Sequence, residues 1–383
     1  MTRWLALGAL VLALAPAAEA RQPLATGTWQ RLPAAPPTAG ISRPVGVWTG
    51  RQLIVFGRFG TAGAMRNVAF SYTPATRRWR ALSPPRGPTG SYEGATSAVW
   101  TGRSMLVWGP ATLLSYDPAT DRWRTLPASP LQGGPPGLVV WTGREMIGWG
   151  GGCCGDASNA GAAYDPATRT WTKLAKAPIA GQQGPSGAWT GRDLIVLPGV
   201  DPNGKPTGGA AYDPAKDTWR RITSPPRQRL GASAVWDGRE VLVVGGSGPA
   251  DAGGFRKLAS IPFAYDPATN RWRRLSAMDD GAYGRAFATV VWTGRTLLLW
   301  GGETQARGRY TLATHGLAYD PRANRWSQLP TAPLLPRLGP VGVWTGRSLL
   351  VWGGDPLLEG LVGSVGAPDS WPFVDGATYT PST

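Results

Sequence analysis

The chain has 383 residues, a formal net charge of +16 and 20 tryptophans, but one histidine and two cysteines. A single histidine cannot supply the two or more His ligands that copper-radical oxidases and His-based zinc sites need, so the sequence predicts no metal and no cofactor. The two cysteines are neighbours and cannot cross-link distant segments, so stability must come from apolar burial.

The first 20 residues have the features of a secretory signal peptide. A basic start, Met1-Thr2-Arg3, precedes an apolar run from Trp4 to Pro16 that is too short to span a bilayer. Ala18-Glu19-Ala20 fits a cleavage site before Arg21. We expect residues 1–20 to be removed and residues 21–383 to form a secreted or periplasmic protein without a transmembrane segment. An uncleaved membrane anchor is the alternative.

Seven turns of one kind divide the rest of the chain, six with the sequence Trp-Thr-Gly-Arg and the fifth with Trp-Asp-Gly-Arg. They begin at Trp48, Trp100, Trp141, Trp189, Trp236, Trp292 and Trp344. In six repeats a later Tyr is followed seven positions on by Trp. These pairs are Tyr72/Trp79, Tyr116/Trp123, Tyr164/Trp171, Tyr212/Trp219, Tyr265/Trp272 and Tyr319/Trp326. A period of roughly 40 to 56 residues with four strand-like segments predicts propeller blades.

The fifth repeat shows how four strands, a to d, fit into one blade. Strand a is Ala232 to Trp236, and Asp237-Gly238 forms a tight turn into strand b, Val241 to Val244. Strand c lies around Tyr265, and strand d begins at Trp272. In such a blade the a–b and c–d turns lie on one face of the ring, whereas the b–c and d–a loops lie on the other.

The positive charge follows the same repeat. An arginine occurs after the Gly of each a–b turn. These residues are Arg51, Arg103, Arg144, Arg192, Arg239, Arg295 and Arg347. A charge at one turn of every blade is a feature of the fold, so we do not expect a nucleic-acid partner. Polyanions outside the cytoplasm are attracted at long range and stay possible partners.

A Gly-Gly pair after strand b, together with the Tyr and Trp spacing, resembles the kelch motif. The pairs are Gly150-Gly151, Gly245-Gly246, Gly301-Gly302 and Gly353-Gly354. The resemblance implies a propeller like the central domain of galactose oxidase, here without the copper site. It says less about function, because kelch-like propellers include both enzymes and binding scaffolds.

The two ends of the chain predict how the ring closes. The last repeat ends at Tyr379-Thr380-Pro381 without a following Trp, whereas residues 27–33 contain a lone strand d around Trp29. We therefore predict an all-β, seven-bladed propeller of four-stranded blades, in which the N-terminal strand pairs with the C-terminal three. Closure of this kind protects the strand edges. The Trp side chains are expected to pack between blades.

Polar residues that precede strand a predict a binding site at the mouth of the central channel. Arginines recur seven positions before the strand-a Trp in the last three repeats, and clustered guanidinium groups suit a carboxylate, sulfate or phosphate. The alternative is that these arginines tie the d–a linker down. The candidate ligand-binding residues are Arg43, Gln182, Arg229, Tyr283, Arg285 and Arg337.

Cys153-Cys154 follows strand b of the third repeat and could form a vicinal disulfide or stay reduced. The structural interpretation is a compact turn on the face of the b–c loops, and the functional one is an apolar platform for a ligand.

The sequence favours an exported, monomeric binding module that takes a glycan, an anionic small ligand or a protein on the b–c and d–a loops. The first alternative is a metal-independent sugar epimerase or mutarotase acting on an acidic sugar, which resemblance to periplasmic kelch propellers that epimerise sialic acid implies. Glu93 would then be its catalytic base, and the arginines would hold the carboxylate. The second alternative is a structural protein that binds polyanions or membrane surfaces through the repeated arginines.

Overall fold

The computed structural model describes most of the chain from residue 25 onward. The described residues are 25–36, 41–60, 66–83, 85, 97–109, 112–131, 137–152, 157–201, 205–227, 229–250, 256–278, 284–306, 309–356 and 372–382. Within them every regular element is a β-strand, and the strands form seven four-stranded antiparallel sheets. The predicted all-β, seven-bladed propeller is confirmed.

The first four blades each consist of four consecutive strands. Blade 1 contains β2 (Ser42–Trp48), β3 (Leu53–Phe59), β4 (Arg66–Thr73) and β5 (Arg78–Ala81). Blade 2 contains β6 (Ser97–Trp100), β7 (Met105–Trp108), β8 (Leu113–Asp117) and β9 (Arg122–Leu126). Blade 3 contains β10 (Leu138–Trp141), β11 (Met146–Trp149), β12 (Gly161–Asp165) and β13 (Thr170–Lys173). Blade 4 contains β14 (Gly187–Trp189), β15 (Leu194–Val200), β16 (Pro206–Asp213) and β17 (Thr218–Ile222).

Blades 5 and 6 each carry an additional two-stranded hairpin between their second and third strands. Blade 5 contains β18 (Ser233–Trp236), β19 (Val241–Val244), β22 (Phe263–Asp266) and β23 (Arg271–Arg274). Its hairpin is β20 (Ser247–Ala250) and β21 (Arg256–Leu258). Blade 6 contains β24 (Thr289–Trp292), β25 (Leu297–Trp300), β28 (Leu317–Asp320) and β29 (Arg325–Gln328). Its hairpin is β26 (Glu303–Ala306) and β27 (Arg309–Leu312).

Blade 7 joins the two ends of the chain. It contains β30 (Val341–Trp344), β31 (Leu349–Trp352), β32 (Gly376–Pro381) and β1 (Gly27–Arg31). The strand from the N-terminal part of the chain pairs antiparallel with β32, so that Trp29 lies opposite Tyr379. The predicted closure is confirmed. The seven inner strands contact one another in sequence and β30 contacts β2, which completes the ring.

The second strand of each blade begins with four buried residues because neighbouring blades cover both of its faces. All four residues of β19 and of β31 are buried, as are those of β7, β11 and β25. A continuous apolar run is what a sheet covered on both sides requires. The core is accordingly divided into clusters between blades, such as the one that joins Leu242 and Val244 to Leu297 and Leu299.

The recurring a–b turn is held by its own side chain. Thr49 Oγ1 accepts a hydrogen bond from the backbone N of Gln52 at 3.0 Å, and Gly50 between them has a φ of 89°. In the fifth repeat Asp237 Oδ1 accepts from the N of Glu240 at 2.7 Å. Either short side chain closes the turn, which explains why Asp replaces Thr there.

A belt of aromatic contacts joins each blade to the preceding one. Tyr72 lies opposite Trp79 with ring centroids 5.0 Å apart, and the same pair recurs in the other blades. Each Trp indole N–H donates to a carbonyl in the linker that follows strand d of the preceding blade. The donor and acceptor pairs are Trp29–Pro330, Trp79–Pro33, Trp123–Ser83, Trp171–Pro127, Trp219–Ala175, Trp272–Thr223 and Trp326–Ser276. The predicted packing of Trp between blades is confirmed.

Candidate functional site

The face of the a–b and c–d turns, here called the repeat face, is nearly uniform. Its arginines are exposed, and some reach the Asp of a neighbouring c–d turn, as Arg144 does at 3.6 Å from Asp165 and Arg192 at 4.0 Å from Asp213. Exposed pairs of this kind contribute little to stability. The repeat face is therefore a solvated, partly paired surface.

The face of the b–c and d–a loops, here called the variable face, differs from blade to blade. In blade 2 the b–c connection is short, and the N of Gly109 donates to the O of Thr112 at 2.9 Å. In blade 1 the second and third strands stay paired out to Phe59 and Arg66, and in blade 4 the pairing extends to Val200. Blade 2 is thus low beside blade 1.

The additional hairpins of blades 5 and 6 are fastened together into what we call the hairpin wall, β20–β21 with β26–β27. The amide of Gln305, which is buried, accepts from the N of Leu258 at 2.9 Å and donates to the O of Arg256 at 2.6 Å. The Tyr310 hydroxyl donates to that same carbonyl at 2.6 Å and accepts from the Arg256 N at 3.1 Å. Two side chains of blade 6 therefore hold the backbone of blade 5 in one position.

Arg229, Arg285 and Arg337 lie at equivalent places in blades 5, 6 and 7, as predicted. Each donates through Nη1 to the carbonyl of the first Gly of its own Gly-Gly pair, at 3.2 Å in all three blades. The acceptors are Gly245, Gly301 and Gly353. Their exposed fractions are 9%, 1% and 0%. This geometry gives all three a structural role, tying the d–a loop to the end of strand b. Joint binding of an anion by them stays a prediction.

Further contacts of Arg337 and Arg285 support their structural role. Arg337 donates from Nη1 to Asp375 Oδ1 at 2.7 Å and lies 4.1 Å from the ring centroid of Phe373. Burial lowers the pKa of Arg337 although Asp375 acts to raise it. Arg285 donates to the carbonyl O of His315 at 3.1 Å. The carbonyl of the lone histidine therefore helps to hold the d–a loop of blade 6 in place.

Of the other candidate residues from the sequence, the structure describes only two. Gln182 is buried and donates from Nε2 to the carbonyls of Leu197 at 3.1 Å and Gly208 at 3.3 Å, so it braces blade 4. Arg43 lies in strand β2. Four further candidates lie outside the described residues. These are Glu93, Cys153, Cys154 and Tyr283. The epimerase site and the vicinal disulfide stay predictions.

Phe287 is a candidate that the sequence reasoning missed. Two residues after the equivalent arginine of blades 5, 6 and 7, the backbone adopts a left-handed φ, which is 60° at Gly231, 55° at Phe287 and 53° at Gly339. Blades 5 and 7 use glycine, for which this region carries no penalty, whereas a bulky side chain there is an outlier. Phe287 is 62% exposed. Aligning Arg-Leu-Gly, Arg-Ala-Phe and Arg-Leu-Gly along the repeats would have revealed it.

Phe287 shares the variable face with two other exposed apolar residues. The exposed large hydrophobic side chains of the described residues are Phe287, Leu335 and Val374. The first two lie in d–a loops and the third in the b–c loop of blade 7, so all three belong to the variable face. The Gly339 N donates to the Phe287 O at 2.9 Å, which joins the d–a loops of blades 6 and 7.

Glu303 pairs with the residue that precedes Phe287 in the chain. Its N and O pair with Ala286, one residue before Phe287, at 2.9 and 3.1 Å. Burial raises the pKa of the Glu303 carboxyl above its usual range. Within the described part of the chain no group of three His, Cys, Asp or Glu side chains could hold a metal ion. In the same residues no helix has the length and apolarity that crossing a bilayer requires.

Comparison with known proteins agrees with this architecture. Residues 138–354 match the model of the KLHDC2/KLHL20/DRC7 Kelch-repeats domain. A putative F-box/kelch-repeat protein of Arabidopsis thaliana is 30% identical over 115 residues, which cover 28% of this chain and 32% of that protein. The matched stretch therefore spans about a third of that relative's length.

Two solved structures share the fold. The structure of YjhT has a TM-score of 0.57 at 15% identity and is covered over 99% of its length by 78% of this chain. A fungal alcohol oxidase of the AA5 family, in complex with copper, has a TM-score of 0.67 at 15% identity, with 93% of this chain and 76% of that one covered. Identities this low show the fold alone. Kelch propellers typically serve as protein-interaction modules. The family model covers more than half of the chain, and the chain therefore belongs to the kelch-repeat family.

Proposed function

We propose that this chain is an exported binding module that takes a protein partner on the variable face of blades 5 to 7. The observation that carries the proposal is the exposed ring of Phe287, which stands on that face on a left-handed backbone. A residue kept in an unfavourable backbone region while its ring is exposed contributes little to the core. Strain of this kind concentrates at binding sites.

The hairpin wall supports the same surface. Its backbone is fixed before any partner binds, through Gln305 and Tyr310, so that little conformational entropy is lost on association. It also carries positive charge, since Arg309 is exposed and Arg256 is partly so. A basic wall on the same face as the exposed Phe287 ring fits a partner segment that combines acidic and apolar side chains.

Site-specific photocrosslinking tests this proposal. A photoreactive p-benzoylphenylalanine would replace Phe287 in one variant and Arg51, on the repeat face, in a matched control. We expect a discrete adduct of higher mass in cells that carry the first variant, and its loss when unmodified protein competes. Equal adducts from both positions, or none from position 287, would contradict the proposal.

Export is the second part of the proposal, and the first 20 residues support it. Met1-Thr2-Arg3, the apolar run and Ala18-Glu19-Ala20 together favour cleavage before Arg21. N-terminal sequencing of the protein recovered from the periplasm or the medium should begin at Arg21. A cytoplasmic protein that begins at Met1 or Thr2 would refute export and leave the binding surface unaffected.

A further inference from the structure

On the repeat face, blades 7 and 1 lack a carboxylate that the other five blades carry. In those five, strand c ends at the Asp of Tyr-Asp-Pro. These residues are Asp117, Asp165, Asp213, Asp266 and Asp320. Thr73 of blade 1 and Thr380 of blade 7 occupy the equivalent position. The two blades are neighbours, because β30 contacts β2 where the ring closes. Their repeat faces therefore form one continuous sector without this Asp.

The Asp of the other blades offsets the charge of the arginine above it. Asp165 Oδ1 accepts a hydrogen bond from the N of Ala167 at 2.7 Å, which holds the carboxylate low in the c–d turn. Its side chain is 15% exposed, whereas that of Arg144, 3.6 Å away, is 84% exposed. A guanidinium in such a blade thus lies over a fixed negative charge. In blades 7 and 1 nothing at this position reduces the positive potential.

Four exposed arginines occupy the sector, which we call the acid-free sector. They are Arg51, Arg77, Arg78 and Arg347. Among the described residues no carboxylate forms an ion pair with any of them. Residues 20–92, which include all of blade 1, contain ten arginines and neither Asp nor Glu. The acidic residues of blade 7 all lie between residues 355 and 375, in the b–c loop on the variable face.

The acid-free sector projects into solvent. A Cβ built at Gly50 or at Gly346, at the tips of its two a–b turns, would meet no other atom within 4 Å. The exposed large hydrophobic side chains of the described residues lie on the variable face and not here. Projecting cations at several turn tips can touch a flat anionic surface together, by charge and without inserting an apolar side chain.

The N-terminal part of the chain joins the propeller at the same sector. Gly27, the first residue of β1, pairs with Pro381 at the end of strand c of blade 7. Beside it, Thr380 Oγ1 lies 2.7 Å from the Oγ of Ser348, which directly follows Arg347. A signal peptide held in the bilayer before cleavage would therefore keep this sector, and not the variable face, toward the lipid. This placement favours a lipid surface over a soluble polyanion as the partner.

We propose that the acid-free sector docks the protein on an anionic lipid surface. Its guanidinium groups would donate hydrogen bonds to the phosphate oxygens of the headgroups. Attachment by charge is reversible and weakens as salt screens it. The variable face lies on the opposite side of the ring and would stay accessible to its partner. Lipid docking does not rest on the proposed protein binding and would stand if the variable face bound nothing.

Flotation of the mature protein, residues 21–383, with lipid vesicles tests the docking. We expect binding to vesicles of phosphatidylcholine and phosphatidylglycerol, none to vesicles of phosphatidylcholine alone, and release by sodium chloride. Absence of binding to the anionic vesicles, equal binding to both kinds, or binding that salt leaves unchanged would overturn the proposal.

Two triple variants separate the sector from the total charge of the protein. The sector variant combines Arg51→Gln, Arg77→Gln and Arg347→Gln. The control removes the equivalent charges of blades 3 and 4, including a c–d turn residue with the same left-handed backbone as Arg77, and combines Arg144→Gln, Arg169→Gln and Arg192→Gln. We expect the sector variant to bind anionic vesicles at least about tenfold more weakly and the control to keep most of the affinity. Equal losses would show that total charge, and not the sector, attracts the vesicles.

A third variant distinguishes lost charge from a disturbed fold. Lys at the same three positions of the sector keeps the charge and should retain most of the binding, and a loss as large as that with Gln would contradict electrostatic docking. Soluble polygalacturonate is the last arm of the test, and we expect it to bind more weakly than the anionic vesicles. Tighter binding of polygalacturonate that the sector variant loses would reassign the surface to an acidic glycan.

Discussion

The aromatic belt is the same in every blade, whereas the inner rim of the variable face, meaning the d–a loop residues that lead into each inner strand, differs between blades. In the belt every blade repeats one arrangement, a Tyr opposite a Trp whose indole donates to the preceding blade. At the inner rim, equivalent positions of neighbouring blades differ, as Phe287 does from Gly231 and Gly339. The comparison teaches that what recurs in every blade maintains the ring, whereas what departs from the repeat marks candidate binding sites.

The largest loss of stability is expected when a structural arginine of the inner rim is replaced. Arg285→Met would leave the buried carbonyls of Gly301 and His315 without their donor, and we expect a loss of about 3 kcal/mol in the free energy of unfolding. Denaturant titration measures it. Arg295→Met, at an exposed turn, should change the same quantity by less than about 0.5 kcal/mol. Similar small changes in both variants would show that Arg285 does not support the rim.

The aromatic belt should give the next largest effect. Trp326→Phe keeps a ring but removes the N–H that reaches Ser276 and some buried area, at a cost of about 2 kcal/mol in unfolding free energy. The matched change Trp79→Phe should cost less, because Trp79 is half-buried whereas Trp326 is 1% exposed. If removing either indole had no effect, the belt would not hold the blades together.

The next largest loss of stability is expected at the two glycines that have a left-handed backbone. Gly339→Ala places a Cβ in open space, so its cost comes from the backbone alone, and we expect about 1 kcal/mol of destabilisation. Gly231→Ala, in equally open space, should behave alike. Denaturant titration compares both with the unsubstituted protein. Unchanged stability in both would mean that this backbone geometry stores no strain in Phe287.

The smallest expected effect is the pH dependence of stability that Glu303 contributes. Burial raises the pKa of the Glu303 carboxyl in the folded protein, so the folded state binds the carboxyl proton more tightly than the unfolded state does. The stability that this proton contributes is lost as pH rises from the usual pKa of 4.5. Glu303→Gln should therefore match the unsubstituted protein near about pH 4 and exceed it slightly at about pH 7. Thermal unfolding at both pH values measures the difference. A variant that is less stable at neutral pH would show that the carboxylate is stabilising.

The fold could be predicted because its determinants are local and repeated. The Thr-Gly-Arg turns and the Tyr and Trp spacing mark strands within each blade, and the missing Trp after Tyr379 predicts the closure with Trp29. The extra hairpins could not be predicted, since their loops share no repeat. The hydrogen bonds of Gln305 that join them depend on the relative placement of blades 5 and 6.

The equivalent positions of the three arginines could be predicted from the sequence, but their contacts could not, and anion binding by them stays a prediction. The sequence places Arg229, Arg285 and Arg337 at equivalent points, yet their common acceptor is a backbone carbonyl, which no pattern of side chains reveals. The carboxylate that distinguishes Arg337 from Arg229 comes from Asp375, in the b–c loop of blade 7, whose sequence differs from that of the b–c loop of blade 5. Only folding brings these groups together.

The free energy of unfolding of Phe287→Gly tests the central claim most directly. If Phe287 departs from the repeat for binding, replacing it by the glycine of blades 5 and 7 should relieve backbone strain and stabilise the protein by about 1 kcal/mol. Phe287→Ala, which removes the ring and keeps the strained backbone, is the matched control and should change stability little. A loss of stability in Phe287→Gly would contradict the account, because it would assign the ring to the core of the propeller.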